Sequence, residues 1–165
     1  GHEISHAFDD KGSQFDGDGN LRNWWTKEDA DKFAARGKML VAQYGAYSPL
    51  PGYTLNGELT LGENIADNAG AIMASRAYKI SLNGKPAPVI DGYTAEQRLF
   101  MGLAQARRGK ARDAALVSQV KSNPHSPSEF RVNGSMRNHP GFYEAYGVKA
   151  GDKMYLKPEE RVIFW

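Results

Sequence analysis

The chain has 165 residues, of which 41% are hydrophobic and 24% charged, with a net charge of +2 and no cysteine. This length and balance fit one domain with a core of its own. They exclude a disulfide framework and any metal site built on thiolates, so a bound metal would rest on His, Asp and Glu. No apolar run approaches the roughly 18–20 residues that cross a membrane.

The chain opens at Gly1-His2-Glu3, with no starting Met and no leader pattern. The expectation is a piece of a longer protein whose targeting signals lie elsewhere. Residues 1–8 (GHEISHAF) read as a short helix and residues 9–23, with Gly12, Gly17 and Gly19, as a loop. Thr26 followed by Asp29 resembles a capping box and opens a helix over 27–45, with Phe33, Met39, Leu40, Ala42 and Tyr44 as its apolar face. Residues 46–58 are a loop rich in Pro, Gly and Tyr. A Pro-free stretch over 59–82 has Ile65, Ala69, Ile72, Met73 and Ala77 near helical spacing. Gly62 and Gly70 lie inside it and read as places of close packing rather than breaks. Residues 83–92 form a loop, Thr94 caps a helix to about 108, and another helix runs over 112–123 until Pro124 ends it. Short helical turns are expected at 127–131 and 140–146. No alternating strand or repeat appears, so the fold class is mainly α, with few or no strands, over a single unit 1–165. The basic cluster Arg107, Arg108, Lys110 and Arg112 reads as a solvated helix face or a local site, too narrow for a nucleic-acid surface.

The chemistry concentrates in two segments. His2-Glu3-Ile4-Ser5-His6 is an HExxH pattern. Residues four apart share a helix face, so both imidazoles can reach one ion while the Glu beside them can take a proton from water. Gly62-Glu63-Asn64-Ile65-Ala66-Asp67 places two carboxylates four apart on a second helix. Catalytic zinc takes three protein ligands and an open position, and a nearby carboxylate can fix the tautomer of a ligand His. Taken without the histidine pair, the second segment would be a helix with two exposed acids.

In this order and spacing, GHEISHAFDD, NWWT, TLGENIADNAG, HSPSEFRV and the closing RVIFW resemble the neprilysin and endothelin-converting-enzyme peptidases, peptidase family M13. The resemblance runs over essentially the whole chain, and the missing cysteines point to a bacterial member. It implies a thermolysin-like (gluzincin) helical catalytic segment, one zinc ion, and cleavage of short peptides on the amino side of hydrophobic residues. Carried over by position, it makes His2, His6 and Glu63 the zinc ligands and Glu3 the general base. Asp67 orients His2, His125 stabilises the oxyanion, Arg131 binds a substrate backbone carbonyl, and Asp9 supports the oxyanion histidine. Read without the family, His125 and Arg131 would be surface residues.

Two departures from the family pattern stand out. The substrate-binding strand and the N-terminal helical lid lie outside the chain, so the fragment alone is expected to be a weak or inactive enzyme. Where the family has Gln-Val-Trp this chain has Gln105-Ala106-Arg107. Ala106 and Arg107 are thereby expected to line, and to widen or charge, the pocket for the residue after the scissile bond. Peptides are the implied partners, with no nucleic acid. The parent is expected to be periplasmic, secreted or anchored facing outward. The competing reading is a catalytically inactive, metal-binding scaffold or receptor. Retention of Glu3 argues against it.

Overall fold

The computed structural model describes all residues, 1–165. Seven α-helices run in chain order: α1 (His2–Ser5), α2 (Lys27–Gly45), α3 (Leu61–Ser81), α4 (Ala95–Ala106), α5 (Asp113–Ser122), α6 (Ser128–Met136) and α7 (Pro140–Tyr146). The fold has no sheet, and its β-pairing is confined to three isolated bridges, such as Phe15 with Leu21. Helix α1 tightens into a 3-10 turn at His6–Phe8, so the expected helix over 1–8 is two helical pieces joined end to end.

The expected caps account for two of the helix starts. Thr26 accepts the backbone N–H of Asp29 at 3.1 Å and donates its hydroxyl to the Asp29 carboxylate at 2.7 Å. Thr94 and Gln97 form a reciprocal capping box at α4. Helix α7 ends at Gly147, whose left-handed φ of 61° suits glycine.

Helix α3 is the central element, packed against α1, α2, α4 and α6. One side of it joins a core of Leu40, Tyr44, Leu55, Ile65, Val162 and Phe164. The other joins Ala71 to Phe100 of α4 and Met136 of α6. In α2 the buried stripe is Gly37, Leu40 and Tyr44, while Met39 from the expected apolar face is 39% exposed. The stripe keeps the 3–4 residue step, and Met39 falls off it by one position.

Helix α6 continues to Met136, beyond the five-residue turn expected from its sequence. Its glycine looks like a stop, yet a Cβ at Gly134 would lie 2.6 Å from the Tyr44 ring. Close approach to α2 therefore uses the glycine and offsets its weak helix propensity. The Asn133-Gly134-Ser135 stretch lies inside this helix, with Ser135 buried.

His139 links the far side of the fold. It is 6% exposed, its Nε2 is 2.9 Å from Ser75 Oγ of α3, and its ring stands edge-on to Phe100 at 4.9 Å. Burial pushes its pKa below the ordinary histidine value. The unfolded chain therefore takes up a proton at higher pH than the folded one. Stability from this group is complete above about pH 6.5 and is lost as pH falls towards the folded value. Urea denaturation at pH 7.5 and pH 5.5 is expected to show a lower midpoint at the acid pH. The His139→Gln protein should show a smaller pH difference, and an equal difference in both proteins would remove this residue from the account.

Candidate metal centre

Two helices bring the site together. Helix α1 lies across α3 so closely that a Cβ at Gly70 would be 2.9 Å from the backbone nitrogen of His2. Gly1 reciprocates, since its Cβ would fall 2.9 Å from the Cα of Gly70. The helix start is pinned locally as well: Ser5 donates both its N–H (3.0 Å) and its hydroxyl (2.8 Å) to the Gly1 carbonyl. Under this crossing, Glu63, Asp67 and Gly70 follow one another at spacings of four and three on one face of α3.

Three donor groups converge there. His2 Nε2 and His6 Nε2 are 3.2 Å apart. Glu63 sits between them, its two oxygens 3.3 Å from His2 Nε2 and 3.6 Å from His6 Nε2. Donors about 2.0–2.1 Å from a tetrahedral ion stand about 3.3 Å from one another, so the residues present fit a zinc ion. Glu3 also falls within the cluster, its donor atom lying within 4.8 Å of those of both histidines. It nevertheless differs in kind from Glu63. Its side chain is 90% exposed with Oε1 3.9 Å from His2 Nε2, whereas Glu63 is 14% exposed and touches both rings. Glu63 therefore lies against both imidazoles, and Glu3 stands at the solvent edge of the cluster.

Behind the donors stand two further carboxylates. Asp67 Oδ1 lies 2.9 Å from His2 Nδ1, in ion-pair contact but off the line of a straight hydrogen bond. Asp9 Oδ2 is 2.8 Å from His6 Nδ1, while Asp9 Oδ1 accepts the backbone N–H groups of Lys11 and Gly12 at 2.9 and 2.8 Å. Asp9 thus backs His6 and not His125. The reason is local, since the two residues are three apart around a tight turn. A Cβ at Gly62 would come within 2.9 Å of Asp9 Oδ2 and 2.7 Å of Asp10 Oδ1, so that glycine makes room for this support.

Arg131 ties the acids together. Its Nε and Nη2 grip the Asp67 carboxylate at 2.6 and 2.9 Å, and Nη2 also reaches Glu63 Oε2 at 3.2 Å. Burial opposes charge on Asp67, but the contacts with His2 and Arg131 outweigh it and hold the carboxyl below its usual range. His6 is shifted the other way. Its hydrogen bond to Asp9, aided by Glu63 and reduced by burial, raises its pKa.

His125 comes from the segment between α5 and α6. Its Nε2 is 3.1 Å from Glu63 Oε1, and Asn123 Oδ1 lies 2.8 Å from its backbone N–H and 2.9 Å from Nδ1. The next residue fixes the segment: Ser126 Oγ donates to buried Asn64 Oδ1 at 2.9 Å, directly beside Glu63. Asn123 thus holds the Nδ1 side of the ring and leaves Nε2 facing Glu63.

A cavity of about 160 Å³ adjoins His2, Asp67 and Arg131, floored by Leu103, Val132 and Met136. Arg107 lines it, with Nη2 3.4 Å from Asp67 Oδ1. Ala106 does not line it and is exposed. Leu103 of α4 and Arg107, the residue that ends the helix, are four apart and both reach the cavity, whereas Ala106 between them does not. A larger cavity, about 280 Å³, holds Ser75 and His139 but none of the donor groups.

Comparison with known proteins agrees with this geometry. The profile described as peptidase family M13 matches residues 1–162. The chain belongs to peptidase family M13. It is 42% identical over 170 residues to neprilysin-11 of Caenorhabditis elegans, covering the whole chain and 20% of that protein. To human neprilysin it is 40% identical over 171 residues, covering the whole chain and 22% of the relative. Among solved M13-like structures, the zinc metalloprotease Zmp1 of Mycobacterium tuberculosis, in complex with an inhibitor, superimposes with a TM-score of 0.96 at 50% identity. That match covers 99% of this chain and 26% of the other. PepO from Lactobacillus rhamnosis HN001 matches with a TM-score of 0.82 at 35% identity, over 99% of this chain and 25% of its own. The chain therefore spans about a fifth to a quarter of the length of these relatives.

The α1–α3 crossing gives a direct prediction. Gly70→Ala places a methyl group against the backbone of His2, an overpacking that costs about 1–3 kcal/mol. Because the strain falls on His2, zinc affinity should drop by about tenfold or more while the helical circular-dichroism signal persists. Zinc titration of the two proteins decides it, and wild-type affinity in the variant would mean that α1 moves aside freely.

Proposed function

We propose that the protein carrying this chain is a zinc metalloendopeptidase that hydrolyses short peptides on the amino side of hydrophobic residues. The observation that carries the reading is the spacing of His2, His6 and Glu63 at the edge lengths of a tetrahedral zinc site. The relatives are several times longer than this chain, so the activity is assigned to the whole protein and the chain alone is expected to be a poor enzyme.

Zinc, when bound, supplies Lewis acidity that polarises a peptide carbonyl and makes water more acidic. His2, His6 and Glu63 would hold it, with Asp67 and Asp9 setting the two imidazoles. Glu3, exposed and adjacent to His2, takes a proton from the attacking water and returns it to the leaving amine. His125 would offer its Nε2 side to the carbonyl oxygen as negative charge develops there. Arg131 uses Nε and Nη2 on Asp67 and Glu63, which leaves Nη1 for a substrate carbonyl. The apolar floor of Leu103, Val132 and Met136 beside His2 supports a hydrophobic side chain next to the scissile bond.

Substitutions in the whole protein separate these roles. Glu3→Gln should keep stoichiometric zinc and lose about 10²–10⁴-fold in turnover. Glu63→Gln should lose metal and turnover together. Asp67→Ala should lose about 10–100-fold in metal affinity or activity. Metal analysis beside peptide-hydrolysis kinetics reads all three, and wild-type turnover in Glu3→Gln would end the proposed mechanism.

A further inference from the structure

Of the groups assigned to the reaction, Glu3 lies on α1 and Arg131 on α6, whereas His125 lies between α5 and α6 with its side chain 44% exposed. Its contacts with Asn123 stay within its own segment, so they shape that segment without fixing it to α3. Gln119 of α5 donates to the His125 carbonyl at 3.2 Å, but α5 has no buried residue and is a poor anchor.

The link to α3 is made one residue further on. Ser126 is 1% exposed, and its hydroxyl donates at 2.9 Å to Oδ1 of Asn64, which is wholly buried and directly follows Glu63. The Asn64 amide is held in one orientation. Thr60 Oγ1 gives its single proton to the Asn56 carbonyl at 3.0 Å, so towards Asn64 it can only accept, and it takes an Nδ2–H at 2.9 Å. That leaves Asn64 Oδ1 to receive Ser126. Asn68 Nδ2 donates to the Asn64 carbonyl at 2.7 Å and tightens the same stretch of α3. The contacts close a ring of four residues. His125 precedes Ser126, Glu63 precedes Asn64, the second pair is joined by a buried hydrogen bond, and His125 Nε2 meets Glu63 Oε1 at 3.1 Å. A shift at the buried bond is therefore passed to the imidazole.

We infer that Ser126 and Asn64 are positioning residues for His125, and that their buried hydrogen bond sets where the imidazole stands relative to the turn of α3 that carries Glu63. This rests on the peptidase reading above. Neither residue touches the substrate. Their contribution is the placement of the His125 ring beside the oxygen that gains negative charge, where a small displacement weakens stabilisation of the transition state more than binding of the ground state.

In the zinc-loaded whole protein, Ser126→Ala should keep stoichiometric zinc and the helical circular-dichroism signal. It should lose about 10–10²-fold in kcat, with KM changed by less than about twofold. In a His125→Gln background the same substitution should cost less than about twofold, because a residue that acts only through the imidazole has nothing left to position. A merely structural role would cost the same in both backgrounds. Crystals of metal-depleted Ser126→Ala protein should show the His125 ring displaced from its 3.1 Å contact with Glu63 Oε1, a readout independent of turnover. Asn64→Ala breaks the same bond from its other end and should reproduce these results if Ser126→Ala is not recovered folded. Wild-type kcat in the substituted protein would overturn the inference, as would an equal loss in both backgrounds or an unmoved ring. Failure of the peptidase reading looks different, because the unsubstituted protein then hydrolyses no peptide, and the position of the ring decides the inference by itself.

Discussion

Helix α1 can lie on helix α3 only because Gly70 has no side chain, and the metal centre depends on that contact. A Cβ there would meet the backbone of His2 at 2.9 Å. With the glycine, the two imidazoles come down onto the same face of α3 that carries Glu63 and Asp67 one turn apart. The precision of the site therefore comes from two helices in backbone contact, not from the flexible segments around it. The same stripe also explains why α3 is the hub of the fold. Its Ile65, Ala66 and Ala69 are buried in the core while Glu63 and Asp67 face α1 and Arg131.

Crowding acids in this way has an electrostatic cost. Glu63, Asp67 and Asp9 are all largely buried around the two histidines. Their mutual repulsion and lost hydration need compensating positive charge. Arg131 provides part of it through a two-pronged grip on Asp67 and a third contact to Glu63. The raised pKa of His6 comes from its hydrogen bond to Asp9 and the lowered pKa of Asp67 from His2 and Arg131, so each charge is set against a partner of opposite sign. A divalent ion at the meeting point of His2, His6 and Glu63 would supply the remainder.

Much of this was legible in the residues. HExxH and Glu63 with Asp67 follow from helical spacing alone, and the Thr26 and Thr94 caps from local hydrogen bonding. What escaped the sequence depends on contacts between distant segments. The length of α6 was hidden because Gly134 looks like a break until Tyr44 is packed against it. Asp9 was matched to the wrong histidine by family position, although its spacing of three from His6 carried the better signal. Ala106 was assigned to the substrate pocket by its family position, whereas the cavity beside His2 is lined by Leu103 and Arg107. The part played by Asn64, which anchors the His125 segment through Ser126, involves a pair 62 residues apart and has no local signature.

The most direct measurement is the position of zinc itself, by anomalous scattering from crystals of the zinc-loaded whole protein. The account requires one ion bound by Nε2 of His2, Nε2 of His6 and a Glu63 oxygen at about 2.0–2.2 Å, with Glu3 outside the coordination shell. An ion held by Glu3 in place of Glu63, or seated away from the α1–α3 crossing, would contradict it.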